Sequence, residues 1–246
     1  MASTAKVLNA KDICVRFGGL SAIANVDLAL PRHEVIGLVG PNGAGKTTFV
    51  NCLTGFQKPT SGAIQIDEYS TRGWRAPRFR REGVSRSFQG GRLFANMTVL
   101  ENVEVVGVAL GMGRGHARAA AADVLGRLGL SGKEAQMAGT LPYTDERRLS
   151  IARALIGDPA FVLLDEPAAG MADAECDELI ELVNDLPETF GCGVLLIEHN
   201  MRMIMTVCST IHVLDGGRKL AVGTPEEIRA NRAVAAAYLG SDAQEG

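Results

Sequence analysis

Short apolar runs, each closed by a turn or a polar cluster, open and close this chain, and a long stretch of helical period separates them. Residues 7–15 and 22–30 read as strands around Gly18-Gly19. In the second, Val26, Leu28 and Leu30 alternate with Asp27 and Ala29, and Pro31 ends the run. Two antiparallel strands are expected there, followed by a short buried strand at 34–39. Residues 48–55 predict a helix that opens straight from the Gly-rich segment before it. A turn at Lys58-Pro59-Thr60-Ser61-Gly62 leads to a strand over 62–67, and residues 83–88 predict another, ending at Gln89.

From about residue 95 to 157 the period becomes helical. Asn96-Met97-Thr98 supplies a polar cap region for the first helix, residues 116–128 are rich in Ala, Arg and Leu, and residues 145–156 form a third amphipathic stretch. The block from about 90 to 157 is therefore expected as a helical subdomain inserted into a core made of residues 1–89 and 158–246. The core resumes with Phe161-Val162-Leu163-Leu164, an apolar strand that ends in Asp165-Glu166. A helix over 173–186, a strand over 193–197 closed by Glu198-His199, a helix over 200–208, a hairpin about Asp215-Gly216-Gly217-Arg218 and two short helices complete the pattern. It is the layout of a single α/β domain with a mostly parallel sheet.

Composition narrows the reading. With 246 residues and 46% apolar content, a packed core is expected. A net charge of −3 from 25 basic and 28 acidic residues gives no global field for nucleic acid, so none is expected as a partner. The five cysteines are scattered and form no C-x-x-C pair, as in a reduced, cytoplasmic protein. The first residues lead into a strand without a signal-peptide core, and no apolar run approaches the roughly 20 residues that span a bilayer.

The candidate chemistry centres on Gly40-Pro41-Asn42-Gly43-Ala44-Gly45-Lys46-Thr47-Thr48, which has the spacing G-x-x-x-x-G-K-T between a strand and a helix. Backbone amides at such a turn point at one place and cradle a polyphosphate. Lys46 would reach its terminal phosphates, and the Thr47 hydroxyl would take a Mg²⁺ position. Asp165 at a strand end would hold Mg²⁺, Glu166 would polarise an attacking water, and His199 would meet charge developing on the γ-phosphate. Gln89 would sense the metal or the water. Phe17, in the turn before the second strand, either packs or stacks on an adenine ring. Six arginines between residues 72 and 86 (Arg72, Arg75, Arg78, Arg80, Arg81, Arg86) suggest a solvated surface helix, with lipid headgroups or an acidic partner as the alternative.

In this order the motifs resemble the ATP-binding cassette (ABC) family over nearly the whole chain. Residues 40–47 resemble its Walker A, Gln89 its Q-loop, Asp165 and Glu166 its Walker B with catalytic glutamate, and His199 its switch histidine. The resemblance makes Phe17 the adenine-stacking aromatic. Arg86-Ser87-Phe88-Gln89, Glu146-Arg147-Arg148-Leu149, Pro167-Ala168-Ala169-Gly170 and Glu198-His199-Asn200-Met201 are similar to one branch, the first ATPase subunit of branched-chain amino acid importers. This implies a P-loop NTPase fold: a RecA-like core, an antiparallel β subdomain and an inserted helical subdomain. It also implies ATP and Mg²⁺ as cofactors. The implied partners are two transmembrane permease subunits, a second ATPase subunit (a different chain, or else a second copy) and, indirectly, a periplasmic binding protein. The expected location is the inner face of the cell membrane, through the permease.

Two departures stand out. Where the branch usually reads Leu-x-Tyr-Gly-Gln, this chain has Leu141-Pro142-Tyr143-Thr144-Asp145, and Ala172 stands where Asp or Asn is usual. The alternatives to an amino acid importer are an importer of urea, amides or aromatic acids, or a nucleotide-binding subunit with little turnover. A small-molecule kinase is disfavoured because Asp165-Glu166 followed by His199 points to water as the nucleophile. A translation or repair cassette would carry a second cassette or long coiled coils.

Overall fold

The computed structural model describes residues 6–87 and 93–241, with side chains up to 238. Gln89 lies outside the described residues, as do Phe88 and Arg92. Two sheets form the frame. The first is antiparallel, ordered β2-β1-β4-β5 from Leu20–Pro31, Val7–Phe17, Ser61–Ile66 and Tyr69–Ser70. The second has six strands, β10-β9-β3-β8-β7-β6, built from Arg218–Gly223, Thr210–Asp215, Val35–Val39, Gly193–Ile197, Phe161–Asp165 and Val84–Arg86. Its strands run parallel except β10, which returns antiparallel on β9.

The strands β3, β7 and β8 are buried at every position. Continuous apolar runs of this kind belong in the middle of a parallel sheet with both faces covered. One face packs with α1 (Lys46–Leu53) and the antiparallel sheet around Phe49, Leu53, Leu163 and Leu195. The other packs with α6 (Asp173–Phe190) and α7 (Met201–Val207) around Val162, Val183, Leu196 and Met203. This second core runs on without a break into the helices α3 (Val99–Ala109), α4 (Arg114–Arg127) and α5 (Tyr143–Leu155), through Val103, Leu125, Leu149 and Leu155.

Helix starts follow local chemistry. Thr98 caps α3 in a reciprocal capping box, accepting from the Glu101 amide at 3.1 Å while Glu101 accepts from the Thr98 amide at 2.8 Å. Two elements differ from the sequence pattern. Helix α6 continues through Pro187 to Phe190 instead of stopping at 186. Pro187 is buried in its last turn, and Gly191 at φ +62 closes the helix with its carbonyl held by Arg32 Nε at 2.7 Å. The arginine-rich segment yields only a short helix, α2 (Ala76–Arg81), and its arginines divide. Arg72, Arg75, Arg78 and Arg81 are exposed, as a solvated surface requires. Arg80 turns inward and donates to the carbonyls of Ala154 and Ile156 at 3.2 and 2.6 Å. Arg86 sits in β6. The short helices α8 (Pro225–Ala230) and α9 (Arg232–Ser241) close the chain against β9 and β10.

Candidate functional site

Strand β3 delivers the chain to Gly40, at φ +151, where a Cβ would lie 2.1 Å from the Leu214 carbonyl oxygen. Gly45, at φ +96, starts α1 with its α-carbon so close to β2 that a Cβ would stand 2.8 Å from the Ala22 carbonyl oxygen. Only glycine fits either place. Between them the loop turns with Asn42 and Gly43 exposed and Ala44 buried. Lys46 is the first residue of α1 and is 7% exposed. Its ammonium donates to the Gly40 and Pro41 carbonyls at 2.7 and 3.1 Å. Burial lowers its pKa, and the carboxylates of Glu166 and Asp165 oppose that change. The first turn of α1 also presents Thr47, exposed, and Thr48, half-buried. Loop amides, a helix N-terminus and a buried cation together fit a polyphosphate.

Parallel pairing sets the acids in place. Asp165 ends β7 directly opposite Ile197 at the end of β8. The next residues, Glu166 and the pair Glu198-His199, therefore emerge at the same sheet edge, where open α/β sheets bind ligands. Glu166 has φ +50, a left-handed conformation that costs a non-glycine residue about 1–3 kcal/mol, and its amide donates to the Ile197 carbonyl at 2.8 Å. His199 Nε2 lies 2.9 Å from Glu166 Oε1. Lys46, Asp165, Glu166 and His199 are thus brought together at one sheet edge. Phe17 is 51% exposed at the mouth of the β1–β2 hairpin, whose second strand passes Gly45 at Ala22. It is open to a flat ring rather than packed in the core.

The donor set suits Mg²⁺. Thr47 and Asp165 offer oxygen only, and Mg²⁺ is normally held by one or two carboxylates or hydroxyls together with waters and phosphate oxygens. Among the described residues, no cluster of three His, Cys, Asp or Glu forms a cage that would bind a metal without nucleotide.

Two charged residues at the site escaped the sequence pattern. Arg86 reaches from β6 to Asp165, Nη2 to Oδ2 at 2.5 Å, and to Asn51 Oδ1 of α1 at 2.6 Å. Glu198, 3% exposed, accepts hydrogen bonds from the amides of Ala168, His199 and Asn200. Burial raises its pKa, and those three amides pull it back down. A glutamate that directly follows the apolar run Val194-Leu195-Leu196-Ile197 was the available signal, since an acid is rarely carried inside unless it is bound there.

The departures are also resolved. Pro142 is the N-cap of α5 and gives no side-chain cap. Asp145 is buried and paired with Lys133. Its charge is therefore met inside the subunit by a nearby ammonium and is not presented at the surface. Tyr143 donates to the Ala169 carbonyl at 2.5 Å and is joined there by Arg147, so the start of α5 is fastened to the segment after Glu166. Ala172 contributes only its backbone, its amide donating to Glu175 at 2.9 Å.

Comparison with known proteins gives the same picture. Residues 23–169 match the family model described as ABC transporter, and residues 218–244 match the one described as branched-chain amino acid ATP-binding cassette transporter. The chain is 43% identical to the high-affinity branched-chain amino acid transport ATP-binding protein LivG of Escherichia coli, over 95% of this chain and 98% of that one. It is 41% identical to BraF of Pseudomonas aeruginosa, a protein of the same description, with the same coverage. A crystal structure of an ATP-binding cassette of an ABC transporter in its ADP conformation superposes with a TM-score of 0.87 at 25% identity, covering 96% of this chain and 100% of that one.

Proposed function

The chain belongs to the ABC transporter family of ATP-binding subunits, and from that premise we propose that it energises an importer of branched-chain or related amino acids. It binds ATP and hydrolyses it to ADP and phosphate. The contact of Glu166 with His199 at 2.9 Å, beside the Lys46 ammonium, carries the reading. Residues 41–48 cradle the phosphates and Phe17 stacks on the adenine. Lys46 leaves the Gly40 and Pro41 carbonyls for the β- and γ-phosphates. Thr47 and Asp165 hold Mg²⁺, which neutralises phosphate charge when bound. Glu166 takes the proton of the attacking water, and His199, which lies against Glu166 before the reaction, gives its N–H to the γ-phosphate oxygens as charge develops there. Phosphoryl transfer needs mainly such positioning and electrostatic stabilisation. Gln89 joins the site in this scheme as a sensor of the metal or the water.

In this reading the chain divides into a nucleotide-binding core (1–89 and 158–246) and a helical insert (about 90–157), and the partner surface lies where they meet. An open groove of about 630 Å³ lies between them, lined by Phe56, Pro77 and Arg80 from the core and Phe94, Val106 and Ala154 from the helical side. It is apolar, it crosses the boundary between the two parts, and Arg86 lines it while also holding Asp165. A permease helix seated there would press on the residue that positions the metal-binding acid. No helix among the described residues is long and apolar enough to cross a membrane, so the translocation path falls to separate permease subunits. The full assembly in this reading has two permeases, a second ATPase subunit and a periplasmic binding protein, with this chain on the inner face of the membrane.

The test is reconstitution with the neighbouring permeases in vesicles. Substrate-stimulated ATP hydrolysis coupled to uptake of leucine, isoleucine or valine supports the reading. Uptake of urea, amides or aromatic acids instead would move the substrate, and binding of ATP without turnover would leave a nucleotide-binding subunit.

A further inference from the structure

We propose that Glu198 is a positioning residue that sets His199 against Glu166 by clamping together the chain segments that follow β7 and β8. The inference rests on the site reading given above and adds a residue to it. Strand β8 is buried throughout, and the chain then places a carboxylate, 3% exposed, where another apolar residue would continue the pattern. That acid divides its two oxygens between two segments. Oε1 accepts from the Ala168 amide at 2.6 Å, two residues past Glu166. Oε2 accepts from the His199 amide at 3.0 Å and the Asn200 amide at 3.3 Å. One rigid group therefore fixes the backbone beside the glutamate relative to the backbone beside the histidine.

The need for such a clamp follows from exposure. The His199 side chain is 43% exposed, so packing does not hold its ring. Its direction depends on its own backbone and on the hydrogen bond to Glu166. On the far side Asn200 caps α7, accepting from the Met203 amide at 3.0 Å, so Asn200 is held by its helix and His199 by Glu198. Glutamine at 198 would keep the shape but not the function. Its amide nitrogen is a donor and would meet an N–H that is already donating, so one arm of the clamp opens.

The experiment uses the complex assembled with the partner ATPase and the permeases, ATP and single-turnover hydrolysis with the complex in excess. Glu198→Gln is expected to slow hydrolysis by about tenfold while ADP affinity stays within about twofold, and His199→Ala to slow it further. A residue that acts through another loses its effect when that other is gone. Adding Glu198→Gln to His199→Ala should therefore cost less than about twofold more. An equal factor in both backgrounds would overturn the proposal, because it would make Glu198 a support for the fold alone. A second readout is the His199 side-chain ¹H–¹⁵N spectrum of the nucleotide-free chain. Its Nε2 signal should move in folded Glu198→Gln, and an unmoved signal refutes the clamp. If Glu198→Gln does not fold, Glu198→Asp, which keeps the charge on a shorter stem, takes its place in both measurements with the same expectations. Wild-type turnover in His199→Ala would count against the site reading, and the imidazole spectrum would then decide the clamp by itself.

Discussion

Arg86 and Asp165 form a buried ion pair at 2.5 Å, and through Asn51 the same guanidinium holds the helix that follows the P-loop. One side chain thus ties β6, β7 and α1 into a single polar bridge beneath the phosphate site. Removing one partner of a buried pair leaves an uncompensated charge and costs about 3–5 kcal/mol. Arg86→Ala should lose that much in urea unfolding, whereas Asn51→Ala, which removes a hydrogen bond to a charged group, should lose about 1.5–3 kcal/mol. Adding ADP with Mg²⁺ should recover part of the Arg86→Ala loss by mass action. An Arg86→Ala chain as stable as wild type would show that the pair is only incidental.

In the proposed mechanism the acid that takes the proton is separable from the cation that binds the phosphates. Glu166→Gln keeps the side-chain shape and removes the base. Nucleotide affinity should hold while turnover of the assembled complex falls by roughly 10²-fold or more. Lys46→Ala should instead weaken ATP binding, because the phosphates lose their buried point charge. Equilibrium binding and steady-state hydrolysis, measured on both variants, separate the two roles.

Stability should fall in mild acid through His212. Burial first, and Lys219 second, push its pKa from 6.5 down to about 4, with Asp27 opposing. Asp27 of β2 and Lys219 of β10 are the charged groups that act on it, and they pair with each other at 3.4 Å. The folded chain therefore keeps the ring neutral between pH 6.5 and about 4 while the unfolded chain takes up a proton. Unfolding free energy should drop as pH falls through that window, at a slope approaching roughly 1.4 kcal/mol per pH unit. The Asp27 pKa is also lowered, mainly by the Asp12 amide, so its contribution holds above the ordinary carboxylate range and is lost below it. His212→Asn should flatten the curve between pH 6.5 and 4 and leave the lower part. An unchanged slope would assign the loss to other groups.

The groove offers a test of assembly that spares the nucleotide site. Val106→Arg places a long cation in its apolar lining. Recovery of the complex with the permeases should fall sharply, while ADP binding by the isolated subunit is unchanged. Single cysteines within about 90–157 should cross-link to the permease. If only α8 and α9 cross-link, the coupling surface lies at the other end of the chain.

Much of this site was legible because it follows from local pattern. A G-x-x-x-x-G-K-T turn and an apolar run ending in Asp165-Glu166 are each contiguous, and parallel strands bring their ends to one edge. What the pattern missed is set by register. Arg86 meets Asp165 only because β6 lies beside β7 with Arg86 opposite Leu163, and no sequence spacing announces that pairing. Lys133 meets Asp145 across the long connection that precedes α5. Arg80 was read as surface because its neighbours are charged, yet its guanidinium closes two carbonyls at the end of α5. Phe17 is the reverse case: local pattern leaves both packing and stacking open, and the hairpin leaves the ring half-exposed.

The two ATP sites of the assembled transporter should be unequal, and the start of α5 says which residues make them so. In the family each site joins one subunit's Walker A to the other's signature loop, the segment that is Leu141–Asp145 in this chain, where a serine hydroxyl and glycine amides meet the γ-phosphate. Here Pro142 has neither a hydroxyl nor an N–H to give. Thr144 brings a Cβ to the point of close approach at the start of α5. Asp145 is not part of the defect, because it is buried against Lys133. Loss of one charge-assisted hydrogen bond costs about 1.5–3 kcal/mol, which weakens closure on ATP by one to two decades. With a different ATPase as partner, the site on this chain's Lys46 and Glu166 is completed by an intact signature, and the opposite site turns over slowly. Blocking the first with Glu166→Gln exposes the second. Pro142→Ser with Thr144→Gly should then raise the residual turnover by about tenfold or more. Asp145→Gln should not help, and should cost stability by leaving Lys133 without its carboxylate. Recovery from Asp145→Gln alone, or equal hydrolysis at both sites of the unmodified complex, would refute this assignment.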